Sequence, residues 1–182
     1  MFSYADPQTI DQIHALLLKE AAQGHFEPRM LEPVRAGNMR NNLLSMMHKQ
    51  ERIDENLRAE LLVWTEQGKT IGWLVNSEIV RGAGNELWML LIQPDHRGTG
   101  AGGRMLDAAI ADLRDKVDVY ARCYPTSTMM IGMFERRGFH LLDTDDSGNL
   151  TLKLLQTGSA ETLSGKKKQT LRAHVPLPVE PG

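Results

Sequence analysis

Apolar residues in the middle of the chain follow first a strand pattern and then a helix pattern. Residues 87–92 form a continuous apolar run that is short enough for a buried strand, and Pro94 ends it because proline cannot continue a strand ladder. Beyond a glycine-rich loop, one helical face is apolar and charged residues lie off that face. The apolar face consists of Met105, Leu106, Ala109, Ile110 and Leu113. The pattern therefore predicts a strand, a glycine loop and a helix, in that order.

Further strands and helices are predicted on both sides of this unit. An amphipathic helix is expected up to Ala21, and a methionine-rich apolar face over 39–47 predicts a second helix after a loop at 24–33. Another helix is expected from Ser127 or Thr128 to Arg137. Strands are predicted at 2–5, 57–65, 70–77, 117–123, 139–143 and 150–154.

The glycine loop has the features of an anion-binding site. The first turn of a helix carries backbone N–H groups without internal partners, and the helix dipole adds positive charge there. Glycines let a phosphate approach the backbone closely, and Arg97 and Arg104 bracket the loop with positive charge. The sequence therefore predicts that this loop binds a phosphate group.

Two alternatives to a phosphate-binding loop are compatible with these residues. The first is a glycine-rich turn that binds no ligand. The second is a dinucleotide-binding loop, since Gly98, Gly100 and Gly103 fit G-x-G-x-x-G and Asp118 follows at about the expected 20 residues. In dinucleotide folds, however, that acid ends a strand, whereas Asp118 begins one, and too little chain follows for the full βαβ array.

Two motifs resemble the signatures of the GNAT superfamily of N-acetyltransferases. The run Q-P-D-H-R-G-T-G-A-G, residues 93–102, resembles its acetyl-CoA loop, R/Q-x-x-G-x-G/A, with Arg97, Gly100 and Gly102 in place. The run M-F-E-R-R-G-F, residues 133–139, is similar to its second signature, L-Y-E-x-x-G-F. The resemblance covers about residues 1–155 and implies an α/β fold, with a mixed, strongly twisted sheet of about six to seven strands flanked by about four helices.

The resemblance also implies acetyl-CoA as co-substrate, a primary amine as acceptor, and no metal. In the family the strand before the loop splays from its neighbour, and the pantetheine arm of CoA pairs with the exposed strand edge. The expected cofactor-binding residues are Leu91, Ile92, Arg97, Gly98, Thr99, Gly100, Ala101, Gly102, Gly103, Arg104, Ser127 and Phe134.

Two catalytic residues are expected by the same resemblance. Glu86 stands at the start of the strand before the glycine loop, where several members carry a glutamate base, and a plain surface acid is the alternative. Family members commonly use the tyrosine of the second signature to protonate the departing thiolate, but here that position is Phe134. Tyr124 is the expected replacement, with Cys123 or water as alternatives.

Composition and charge limit the partners and the cellular compartment that can be expected for this chain. The net charge of −2 gives no overall positive field for nucleic acid, and the one cysteine excludes an internal disulfide. No apolar run approaches the roughly 20 residues of a membrane span, and no signal peptide is recognisable, so a cytoplasmic enzyme is expected. Whether the amine belongs to a small molecule or a protein stays open, as does a homodimer, which is frequent in the family.

Two non-enzymatic functions are also compatible with the sequence. The chain could be a CoA-binding regulatory module that has lost transfer activity, an alternative motivated by Phe134. It could also be an interaction protein that uses the polar and then proline-rich C-terminal tail, residues 156–182, which is expected to extend from the domain over residues 1–155.

Overall fold

The computed structural model describes residues 1–80 and 83–155, which contain eight strands and four α-helices. The strands are Phe2–Tyr4 (β1), Glu51–Arg52 (β2), Leu57–Glu66 (β3), Lys69–Glu78 (β4), Asn85–Ile92 (β5), Val119–Cys123 (β6), Phe139–Thr144 (β7) and Leu150–Leu154 (β8). The α-helices are Pro7–Ala21 (α1), Pro33–Lys49 (α2), Ala101–Leu113 (α3) and Thr128–Glu135 (α4). Short 3-10 helices occupy Pro28–Leu31 and Pro94–His96.

The strands form one mixed sheet in the order β1-β3-β4-β5-β6-β8-β7, with β2 pairing beside β3. Every pairing is antiparallel except that between β5 and β6. The predicted α/β class with a mixed sheet and four helices is confirmed. The sheet gains one strand over the expected number because β2 is only two residues long and leaves no alternating pattern to detect.

The parallel strands β5 and β6 separate soon after they meet. They pair only where Asn85 lies opposite Val119 and Glu86 lies opposite Tyr120. On its other side β5 stays paired with β4 up to Ile92, through a bulge at which Trp88 is the extra residue. The sheet therefore opens as a V toward the ends of β5 and β6, where the edge of β5 has no strand partner among the described residues.

Apolar side chains fill both faces of this sheet. Helices α1 and α2 cover one face through a cluster that includes Ile13, Leu17, Leu43, Met46 and Trp73. Helices α3 and α4 cover the other face, where all five predicted apolar positions of α3 are buried. The methionine-rich face of α2 is therefore core, as its spacing indicates. None of the described helices is long and apolar enough to cross a lipid bilayer.

Several element ends differ from the sequence prediction. Helix α4 stops at Glu135 and not at Arg137, and β6 begins at Val119 rather than at residue 117. The expected loop over 24–33 contains the 3-10 helix Pro28–Leu31, since Pro28 suits the first position of a helical turn. The C-terminal tail lies outside the described residues.

Candidate active site

Six consecutive backbone N–H groups, from Gly98 to Gly103, donate no hydrogen bond to any described residue. Gly98 and Gly100 have positive φ angles of 74° and 80°, in the left-handed region that glycine adopts without strain. Helix α3 begins directly after Gly100, and no side chain caps its first turn. Unpaired donors at a helix start are the backbone arrangement that binds phosphate oxygens. We call residues 98–103 the amide loop.

The start of helix α3 packs against the end of β5 and against Arg137. A Cβ atom at Gly102 would lie 3.4 Å from Cγ1 of Ile92, and one at Gly103 would lie 3.0 Å from Nη2 of Arg137. The glycines therefore let the helix start meet the V-shaped opening of the sheet. Ile92 supports this contact, whereas the Leu91 side chain is buried on the opposite face, against α1 and α2.

Three arginines surround the amide loop, and each is held by an acid. Arg104 binds both carboxylate oxygens of Glu66, at 2.8 and 2.7 Å, and donates to the carbonyl of Thr99. The Arg104 hydrogen bond and that of the Trp64 indole lower the pKa of Glu66 to about 2.

Arg137 binds Asp107 and the carbonyl of Gly103, and Arg97 binds Glu20 and the carbonyl of Ile92. Thr99 closes the turn by donating its hydroxyl to the carbonyl of His96. The loop therefore presents unpaired backbone N–H groups beside positively charged side chains. Hydrogen bonds from Thr99 and from the arginines stabilise the conformation of the loop.

The two other predicted cofactor residues lie beyond the end of β6. Ser127 is buried and its Oγ lies 3.3 Å from Nδ1 of His25. Phe134 is also buried and packs its ring against Phe139, with ring centroids 4.9 Å apart. Phe134 therefore belongs to the core beneath α4.

A cleft of about 240 Å³ lies on the α1–α2 face, between β5 and β6. Its lining comes from the β2–β3 turn, from β5, from β6 and the residue after it, and from the β7–β8 turn. The lining residues are Arg52, Glu55, Glu86, Trp88, Arg122, Cys123, Tyr124, Asp145 and Asn149. The two catalytic residues expected from sequence, Glu86 and Tyr124, thus share one cleft, and we call it the acceptor cleft.

Glu86 is buried, with only 1% of its side chain exposed, and it forms a paired salt bridge with Arg122. Arg122 donates from Nε and Nη2 to the two carboxylate oxygens, at 2.8 and 2.9 Å. These hydrogen bonds raise the pKa of the Arg122 guanidinium. A buried carboxylate needs such a partner, because an unpaired charge there would be strongly destabilising.

Arg52 is a second guanidinium at the cleft, and it is buried, with only 2% of its side chain exposed, whereas 53% of the Arg122 side chain is exposed. It contacts Asp54 and Glu55 at 2.9 and 3.0 Å, and it stacks 3.9 Å from the centre of the Trp88 ring. The bulge at Trp88 is what brings this ring to the cleft. The sequence analysis missed Arg52, Trp88 and Arg122, although a charged residue inside an otherwise apolar strand, as Arg122 is, was an available signal.

Tyr124 lines the cleft next to Cys123. Its hydroxyl donates to Oε2 of Glu27 at 3.4 Å. Burial, together with the negative charge of Glu27, raises the pKa of Tyr124 to about 12, so its hydroxyl is protonated at neutral pH. Burial likewise raises the pKa of the neighbouring Cys123 thiol to about 12. Of the two groups, only the tyrosine has its polar atom in a hydrogen bond with a described residue.

The chain is similar to known proteins in sequence and in fold. The model of the acetyltransferase (GNAT) family matches residues 13–139. No curated protein matches the chain.

Several solved structures share the fold at low identity. The PaiA N-acetyltransferase of Thermoplasma acidophilum, solved with coenzyme A, superposes with a TM-score of 0.62 at 15% identity, over 85% of this chain and 97% of that one. The ribosomal-protein-alanine N-acetyltransferase of Brucella melitensis gives 0.62 at 15% identity, over 84% and 98%. A spermidine N-acetyltransferase chimera of the Vibrio cholerae and human enzymes gives 0.59 at 17% identity, over 86% and 96%.

Proposed function

The chain belongs to the GNAT acetyltransferase family, and from that premise we propose that it transfers an acetyl group from acetyl-CoA to a primary amine. The amine attacks the thioester carbonyl directly while both substrates are bound. The carbon–sulfur bond then breaks, CoA leaves as a thiol and the product is an amide. The observation that carries this proposal is the run of six unpaired amides in the amide loop, beside the opening between β5 and β6.

The amide loop supplies the donor site. A diphosphate carries several acceptor oxygens close together, and consecutive N–H groups at a helix start can satisfy them at once. Arg97 and Arg104 add charge at the ends of the loop. From the loop, the pantetheine arm runs along the unpaired edge of β5 and hydrogen-bonds to it as an added strand would. An N–H group of that edge then polarises the thioester carbonyl.

The acceptor cleft receives the amine. Three carboxylates, of Glu55, Glu86 and Asp145, line it against the two guanidinium groups of Arg52 and Arg122. This excess of negative charge attracts an amine, which carries a positive charge at neutral pH because its ordinary pKa is about 10.4 for a lysine side chain.

Glu86 and Tyr124 then move the protons. Glu86 accepts a proton from the ammonium, directly or through water, while Arg122 compensates its buried charge. Tyr124, protonated at neutral pH, donates its hydroxyl proton to the departing thiolate. Solvent water then returns a proton to the tyrosine and takes up the one that the attacking nitrogen loses as the amide forms. Because Phe134 has no hydroxyl, it cannot supply this proton, and we assign that role to Tyr124.

The decisive experiment measures CoA binding and thiol release separately. Calorimetric titration with CoA should show binding to one site per chain. Release of free thiol from acetyl-CoA should then accelerate when suitable members of an amine panel are added, and mass spectrometry should find the amine heavier by one acetyl group. A chain that fails to bind CoA would overturn the proposal.

A second function is favoured by one observation, the buried position of Phe134 against Phe139. A CoA-binding module without transfer activity requires no proton donor at this position. Such a module would bind CoA in the titration but would release no thiol with any amine.

A further inference from the structure

A carboxylate lies in an unfavourable place at the end of α1. Glu20 is in the last turn of this helix and only 10% of its side chain is exposed. The negative end of the helix dipole disfavours an acid there, and burial disfavours a charge. Such a residue needs a compensating partner.

Arg97, at the start of the amide loop, is that partner. Its Nη2 lies 2.7 Å from Oε1 of Glu20, and its Nε donates to the carbonyl of Ile92 at 3.1 Å. The remaining nitrogen, Nη1, has no hydrogen-bond partner among the described residues. The other two contacts hold the guanidinium in place. Because 39% of the side chain is exposed, Nη1 is free to contact a ligand.

The end of α1 is itself tied to the opposite side of the opening. The hydroxyl of Thr126 donates to the carbonyl of Gly24, and His25 contacts Ser127. The segment after Glu20 therefore bridges the ends of β5 and β6. This bridge keeps the Glu20 carboxylate facing Arg97.

We propose that Glu20 is a positioning residue that holds the Arg97 guanidinium ready for the diphosphate of CoA. The inference rests on the proposed donor site. A planar guanidinium fixed by two acceptors loses little further freedom when its third nitrogen binds phosphate, so the affinity rises without Glu20 touching the ligand. The effect is confined to ligands that carry the diphosphate.

The test compares CoA with pantetheine, which lacks the diphosphate. In Glu20→Gln, the dissociation constant for CoA should rise by about tenfold, as expected for weakening one charge-assisted hydrogen bond. Binding of pantetheine, followed by NMR titration, should stay within twofold of the wild-type value, which also shows that the variant is folded. Asp11→Asn is the matched control, because Asp11 lies on the same helix and pairs with Arg40 at 2.9 Å.

A double-mutant cycle separates positioning from a general structural role. Arg97→Gln alone should weaken CoA binding, and adding Glu20→Gln to it should cause no further loss. Unchanged or tighter CoA binding in Glu20→Gln, an equal loss for pantetheine, or additive losses in the double variant would each overturn the inference while leaving the proposed function intact. A wild-type chain that does not bind CoA would overturn both.

Discussion

The amide loop and the acceptor cleft are built in opposite ways. The amide loop is one run of six residues, and its chemistry belongs to the backbone. The acceptor cleft takes side chains from parts of the chain as distant as Arg52 and Asn149, and its chemistry belongs to charged and aromatic groups. The residues of the amide loop are therefore neighbours in the sequence, whereas those of the acceptor cleft come together only when the chain folds.

This contrast explains how one scaffold can keep its donor and change its acceptor. A backbone site tolerates substitutions of the side chains around it, provided that the glycines allow its geometry. In the acceptor cleft, a change at a single lining position alters the charge or shape that meets the amine. The fold therefore supports the choice of acetyl donor far more strongly than it supports any particular amine.

The largest expected effect tests whether the amide loop depends on its backbone. Gly100→Val should weaken CoA binding by about a thousandfold, because a side chain at a φ of 80° distorts the loop and removes several charge-assisted hydrogen bonds at once. Gly68→Val is the matched control, since Gly68 has a φ of 76° in the β3–β4 turn and open space around it. Equal CoA affinity in both variants, measured by calorimetry, would contradict the assignment of the amide loop as the CoA-binding site.

The next effect tests whether the acceptor cleft depends on a single side chain. Glu86→Gln should lower kcat by about a hundredfold near pH 7, at the low end for a lost general base, without changing CoA affinity. The deficit should shrink as the pH approaches the amine pKa of about 10.4, where the free amine needs no base. Glu78→Gln, at the paired end of β4, is the control and should keep wild-type turnover. A deficit that is the same at every pH would exclude Glu86 as the base.

A smaller effect is expected for the tyrosine that lines the acceptor cleft. Tyr124→Phe should lower kcat by about tenfold, less than a full general acid contributes, because water can replace the hydroxyl. Since the pKa of Tyr124 is raised to about 12, the tyrosine stays protonated from pH 7 to pH 10. The ratio of wild-type to variant turnover should therefore be constant over that range and fall only toward pH 12. Tyr4→Phe, on the exposed β1, serves as the control.

The smallest effect concerns reactivity and leaves catalysis untouched. With its pKa raised to about 12 by burial, the Cys123 thiol should be almost entirely protonated at pH 7.5 and react with iodoacetamide far more slowly than an ordinary cysteine. Unfolding in urea should restore the ordinary rate, as followed by mass spectrometry. Fast labelling of the folded chain would show that the acceptor cleft is more open than its lining indicates.

Features of this protein that depend on a few neighbouring residues could be predicted from the amino-acid sequence. The apolar run of β5, the glycines and the apolar stripe of α3 predicted the strand, loop and helix start, because backbone geometry at glycine and helical periodicity are local properties. The same reasoning predicted most strands and helices, with errors of a few residues at their ends. It missed β2, since two residues carry no period.

The set of side chains that meet in the acceptor cleft could not be predicted, because it depends on how the strands pair in the folded chain. The separation of β5 from β6 and the bulge at Trp88 result from sheet pairing, and they bring Arg122 onto Glu86 and Arg52 onto Trp88. The ion pair of Glu20 with Arg97 likewise joins residues 77 positions apart. Electrostatic interactions act through space and leave no periodic trace in a single sequence, so the partners of these charges become known only once the chain is folded.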